Sequence, residues 1–267
     1  MRRLMFLLAV LSLSMGAVSC KKDVVDPAKN PGKEIPEEEK VEEKVPAPEG
    51  YVGYRHNDWT YIFKEADANT NGAKNARGLL EQNLDEIDGL LPEAALKVMH
   101  KQPIWLERNL TDGAAWYHSS REYLIQEGYM VEKWHCVELC NYTHYVSWTR
   151  QNQPYMVLHE LCHLYHDQAL PGGFENKDVK SAYNNAMKAG KYVNTAYRLD
   201  KNTLIEHYDD YYKAKVYATT NQMEYFSEIC EAYWGENDYY PFNYNDLKEY
   251  DPEGFALMEK IWGPRTF

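Results

Sequence analysis

LHELCHLYHD, residues 158–167, places three histidines, two acids and a cysteine within ten positions. A helix turns about 100° per residue, so His159 and His163 project from one face a single turn apart, where both rings can reach one ion, and Glu160 stands beside them. Leu158, Leu161, Cys162 and Tyr165 form an apolar stripe on another face, the pattern of a helix with one side packed and one side left for chemistry. His166 has nearly the azimuth of His159 but lies about 10 Å further along the axis, too far to join the same ion. Pro154 is read as opening the helix, at a position that tolerates a missing amide donor, and Pro171-Gly172-Gly173 as ending it.

Two histidines do not complete a catalytic zinc site, which takes a third protein ligand and keeps one position for water. The segment NQMEYFSEICEAYWG, residues 221–235, reads as a second helix, capped at Thr220 or Asn221 and stopped at Gly235. Glu224 and Glu228 are four residues apart on it and share a face. One carboxylate can therefore bind the metal while the other hydrogen-bonds a ligand histidine and fixes its tautomer.

HELCH followed by NQMEYFSE resembles the gluzincin metallopeptidases, in particular the catalytic domains of anthrax lethal factor and the Pro-Pro endopeptidases. The resemblance spans about residues 100–235 in the order of elements, and its specific part is the two motifs and one tyrosine. It implies Glu224 as the third zinc ligand, Glu228 as a supporting acid, and Tyr217, seven residues before the ligand acid, as a stabiliser of the oxyanion. It also implies Glu160 as general base in zinc-dependent peptide hydrolysis of the endopeptidase type, by a metal-activated water. The fold expected is α+β and zincin-like, a small mixed sheet packed on the HExxH helix and on the second ligand helix. A second reading is a non-catalytic zinc-containing surface lipoprotein that binds a glycan or a host protein.

The chain has 267 residues, 44% of them hydrophobic, enough for one sizeable core. A net charge of −12, with no Lys/Arg-rich stripe, argues against nucleic acid as a partner. The first twenty residues, MRRLMFLLAVLSLSMGAVSC, run from two arginines through an apolar stretch to small residues, as an export signal does. AVSC resembles the lipobox of bacterial lipoproteins, which implies lipidation at Cys20 and an outer-membrane protein on the periplasmic or cell-surface face. The partners expected are a protein or peptide substrate and the membrane, the protein itself being a monomer. Residues 21–50, rich in Glu, Lys and Pro, read as a disordered tether in which EEEKVEEK forms at most a transient helix, and residues 51–267 as the metallopeptidase-like domain.

The remaining cysteines, Cys136, Cys140, Cys162 and Cys230, allow three pairings if the chain meets an oxidising compartment. Within the domain, residues 71–100 carry two consecutive helices divided at Pro92, PIWLER is a strand, and SSREYLIQEG is a helix capped at Ser119 or Ser120 and stopped at Gly128. The stretch 135–148 is read as an edge strand, whose part near 135–140 either adds an extended peptide beside the zinc or is an ordinary internal strand. Helices are expected over about 176–189 and at DPEGFALMEKIW. His118 and His166 are read as satisfying buried hydrogen bonds, substrate contact being the alternative.

Overall fold

The computed structural model describes residues 43–265 and, ahead of them, the pair Val18–Ser19. Cys20, the rest of the expected export signal and most of the tether lie outside the described residues. The chain runs β1 (Val18–Ser19), β2 (Glu43–Val45), β3 (Tyr51–His56), β4 (Trp59–Lys64), α1 (Asn71–Leu90), α2 (Glu93–Met99), β5 (Ile104–Leu106), β6 (Trp116–Tyr117), α3 (Arg121–Gln126) and β7 (Val137–Leu139). It continues through α4 (Tyr142–Gln151), α5 (Met156–Ala169), α6 (Lys177–Lys188), β8 (Tyr197–Asp200), β9 (Thr203–Ile205), α7 (Tyr208–Tyr212), α8 (Gln222–Trp234), α9 (Tyr244–Tyr250) and α10 (Pro252–Trp262). The fold is α+β with a small mixed sheet.

The sheet order is β1-β6-β7-β5-β4-β3-β2, with β4, β5 and β7 parallel and the other neighbours antiparallel. The β3–β4 hairpin turns at Asn57, whose φ of 51° suits the left-handed positions of a tight turn. A parallel neighbour needs a crossover, and α1 with α2 supplies it between β4 and β5. Thr70 caps α1 by accepting from the Ala73 amide, and Leu80, Leu84 and Ile87 bury its inner stripe. Along β5 and β7, Ile104, Leu106, Val137 and Leu139 join the main core with α5, whereas Trp105 and Glu138 alternate to the other face.

That other face carries a buried polar network. Lys133 donates to Glu107 at 2.8 Å and also to Glu138, His118 Nε2 lies 2.6 Å from Glu138 Oε2, and the Tyr51 hydroxyl donates to Glu107 at 2.7 Å. His118 therefore serves a buried hydrogen bond.

The structure corrects several sequence expectations. Residues 135–148 are not an edge strand: β7 lies between β6 and β5, and Asn141 accepts from the Thr143 and His144 amides to start α4 there instead. The alternation of β-formers in this stretch was overridden by an N-cap. Glu43–Val45 is strand rather than tether or helix, paired antiparallel with β3. The histidine helix begins at Met156, with Pro154 in the turn ahead of it. It is not amphipathic in its surroundings, since every residue from Met156 to Leu164 is buried. The sheet covers it on one side and α8 on another.

Burial works against the charged form of Glu138, but the His118 hydrogen bond and the Lys133 charge outweigh it and hold its pKa below the ordinary 4.5. Burial likewise opposes the Lys133 charge, and Glu138 with Glu107 outweighs it to hold that pKa above 10.5. The stability contributed by Glu138 is full above 4.5 and is lost as pH falls through its lowered value. That contributed by Lys133 is full below 10.5 and is lost as pH rises through its raised value. Urea midpoints measured across pH should therefore be level through the neutral range and fall on the acid side, with a shallower acid limb in Glu138→Gln.

Candidate metal centre

Helix α8 starts where Asn221 accepts from the amides of Met223 at 2.8 Å and Glu224 at 2.9 Å, so the cap itself fixes the backbone of Glu224. A short 3-10 turn, Tyr217–Thr219, leads into it. From Glu224 to Trp234 every residue of the helix is buried, packed against α5. This contact joins two pieces of chain remote in sequence.

The meeting of α5 and α8 gathers His159, His163 and Glu224. Glu224 Oε2 lies 3.2 Å from His159 Nε2 and 3.1 Å from His163 Nε2, and one ligand atom from each of the three lies within 4.8 Å of the others. The two imidazoles stand 4.8 Å apart, centroid to centroid, at 75° to each other. None of the three residues is more than 2% exposed. Burial disfavours ionised Glu224, yet the charge of His163 and the hydrogen bonds of both rings prevail and hold its pKa at about 2.

The remaining edges of the rings are also held. Glu231 Oε1 lies 2.5 Å from His159 Nδ1, and Ser227 Oγ lies 3.1 Å from His163 Nδ1. A carboxylate at Nδ1 keeps the proton of His159 on that nitrogen, which aims the Nε2 lone pair at Glu224 Oε2. Lone pair against lone pair in a buried site calls for a positive centre between them. A tetrahedral ion with bonds of about 2.05 Å spaces its ligand atoms about 3.3 Å apart, close to the separations found here. The residues present fit a divalent cation with nitrogen and oxygen ligands.

The acid that supports His159 differs from expectation. Glu228 Oε1 is 3.9 Å from His159 Nδ1, beyond hydrogen-bond range, while its Oε2 accepts from Asn237 at 3.0 Å. Glu231 takes the role assigned to Glu228. Its sequence signal was present, because Glu224, Glu228 and Glu231 follow a spacing of four then three along one helical stripe. Ser227 carried no such signal.

Of the other expected residues, Glu160 is 0% exposed on the helix that carries both histidines. Tyr217 is half-buried, its ring 6.1 Å from that of His159. His166 stays apart from the cluster, with its ring against Phe174 at 5.1 Å and Phe226 at 4.7 Å. Burial, and then the charge of His163, push its pKa down to about 3, which leaves it neutral.

Compared with protein-family models, curated proteins and solved structures, the chain matches none. The reading of the centre therefore stands on its own geometry.

Two substitutions test this description. Glu231→Gln should weaken zinc binding about 10–100-fold in a chelator competition, the usual loss on removing a carboxylate behind a ligand histidine, with Glu228→Gln closer to wild type. Asn221→Ala should lower stability by about 1 kcal/mol, read from denaturant midpoints, because two amides of the first turn lose their acceptor.

Proposed function

We propose that the protein is a zinc metallopeptidase of gluzincin type with a zincin-like fold, the metal held by His159, His163 and Glu224. The observation that carries this reading is the convergence of both histidine Nε2 atoms on one Glu224 oxygen while Glu231 holds the proton of His159 on the opposite edge. When bound, a zinc ion supplies Lewis acidity and lowers the pKa of water toward about 7. Glu160, one residue from His159, accepts the proton of the attacking water and delivers it to the departing amine. The Tyr217 hydroxyl, carried on the turn that enters α8, donates to the carbonyl oxygen as negative charge develops there.

The lipobox reading places the protein at the outer membrane, attached through a lipid on Cys20. No helix among the described residues is long and apolar enough to cross a membrane. Processing at Cys20 removes Val18–Ser19, the partner of β6, and leaves β6 as the outer strand of the sheet beside α5. We assign to β6 the peptide-aligning role expected of residues 135–148.

A second reading, a structural metal site in a surface protein that binds a glycan or a host protein, is favoured by the enclosure of the centre, with Glu160 and His163 both 0% exposed. A closed structural site needs no general base. Incubating the protein with a diverse peptide library, with and without chelator, should give cleavage that the chelator abolishes and zinc restores. Glu160→Gln should retain stoichiometric zinc and lose cleavage by several orders of magnitude. Full zinc content with no cleavage of any peptide by the wild type selects the structural reading.

A further inference from the structure

Two cysteines lie inside the α5–α8 contact. Cys162 immediately precedes His163, and Cys230 immediately precedes Glu231; both are 0% exposed, on helices packed closely enough for Glu231 to reach His159 Nδ1 at 2.5 Å and Ser227 to reach His163 Nδ1 at 3.1 Å, which puts the two thiols near each other across that interface. Both are free thiols here, and that of Cys230 also donates to the Met258 sulfur at 3.5 Å. The other two described cysteines are placed differently. Cys140 accepts from the Thr111 hydroxyl at 3.2 Å, and Cys136 donates to the Glu132 carbonyl at 3.5 Å. Cys136 and Cys140 bracket β7, and four residues of extended chain put them about 13 Å apart, at about 3.3 Å per residue. A disulfide needs Cα atoms about 4.4–6.8 Å apart, so that pair cannot close.

We propose that Cys162 and Cys230 are a disulfide-forming pair that fastens the two metal-binding helices to each other. The chemistry is thiol–disulfide exchange with a small or protein disulfide of the glutathione or dithiol-oxidoreductase class. One cysteine thiolate attacks that disulfide, giving a mixed disulfide and releasing one reduced thiol. The other cysteine thiolate then displaces the second thiol as the Cys162–Cys230 bond forms. Two electrons pass to the oxidant, and the two protons end on its thiols. Because both sulfurs are sealed in the native interior, exchange takes place before α5 and α8 close on each other. An exported chain meets such an oxidant as it folds.

The consequence is specific to this place in the fold. The bond ties the helix of His159 and His163 to the helix of Glu224, next to one ligand and next to the acid that orients another. The spacing of the centre then no longer depends on the cation alone. The proposal holds whether or not the centre cleaves peptides.

The test uses the full chain, reduced and denatured, then refolded in a mixture of oxidised and reduced glutathione. Free thiols are alkylated and the protein is digested without reductant for mass spectrometry. The expected result is one cross-linked peptide pair joining Cys162 to Cys230, with Cys20, Cys136 and Cys140 alkylated. Alkylated Cys162 and Cys230 in most refolded molecules, or either joined to another cysteine, overturns the proposal. A second measurement compares denaturant midpoints with and without dithiothreitol. The oxidised protein should unfold at higher denaturant, and Cys136→Ser should show the same difference; equal midpoints overturn the fastening role.

Discussion

Everything around the candidate centre depends on one contact, the packing of α5 against α8 in the interior. A carboxylate enclosed at 2% exposure or less is costly unless positive charge or hydrogen-bond donors face it, and what faces Glu224 is the Nε2 atoms of two imidazoles. Those imidazoles are themselves held from behind by Glu231 and Ser227. The set is balanced only with a proton or a cation at its centre. A metal ion satisfies all of the inward-facing lone pairs at once, which is why the geometry favours one.

The sheet positions this contact without contributing a ligand. Strands β6 and β7 present apolar side chains to α5, while the opposite face of β7 holds Glu138 against Lys133 and His118. The two faces of one short strand thus serve separate purposes, a greasy bed for the histidine helix and an internal ion network behind it. An interior ion network is weak evidence for stability in itself, but breaking one partner leaves a stranded charge. It ties the turn containing Lys133 to the sheet.

Much of this could be read from the chain alone, and the exceptions have physical causes. Period located α1, α2, α6 and α10, and caps located α3 and α8, because Ser120 and Asn221 sit where a side-chain oxygen must meet orphan amides. Residues 142–151 were missed because tyrosine, valine and tryptophan favour strands in isolation, while Asn141 diverts the chain into a helix. Spacing alone grouped His159, His163 and the acids of α8. It named Glu228 and passed over Glu231 as the partner of His159, since that choice depends on helix rotation by a fraction of a turn. The β8–β9 hairpin lies in a polar, tyrosine-rich stretch whose alternation is too short to register.

The distances along the chain between the groups that meet at the centre also govern its assembly. His159 and Glu224 are 65 positions apart, and His159 and Glu231 are 72. The two histidines, by contrast, come together as soon as one turn of helix forms. A cation that reaches the chain early finds a bidentate perch of low affinity, and the tight chelate appears only after the long excursion between the helices has closed, at an entropic cost that grows slowly with its length. With the metal proposed for this centre, capture would be a late act of maturation, coupled to the completed tertiary structure rather than to its nucleation.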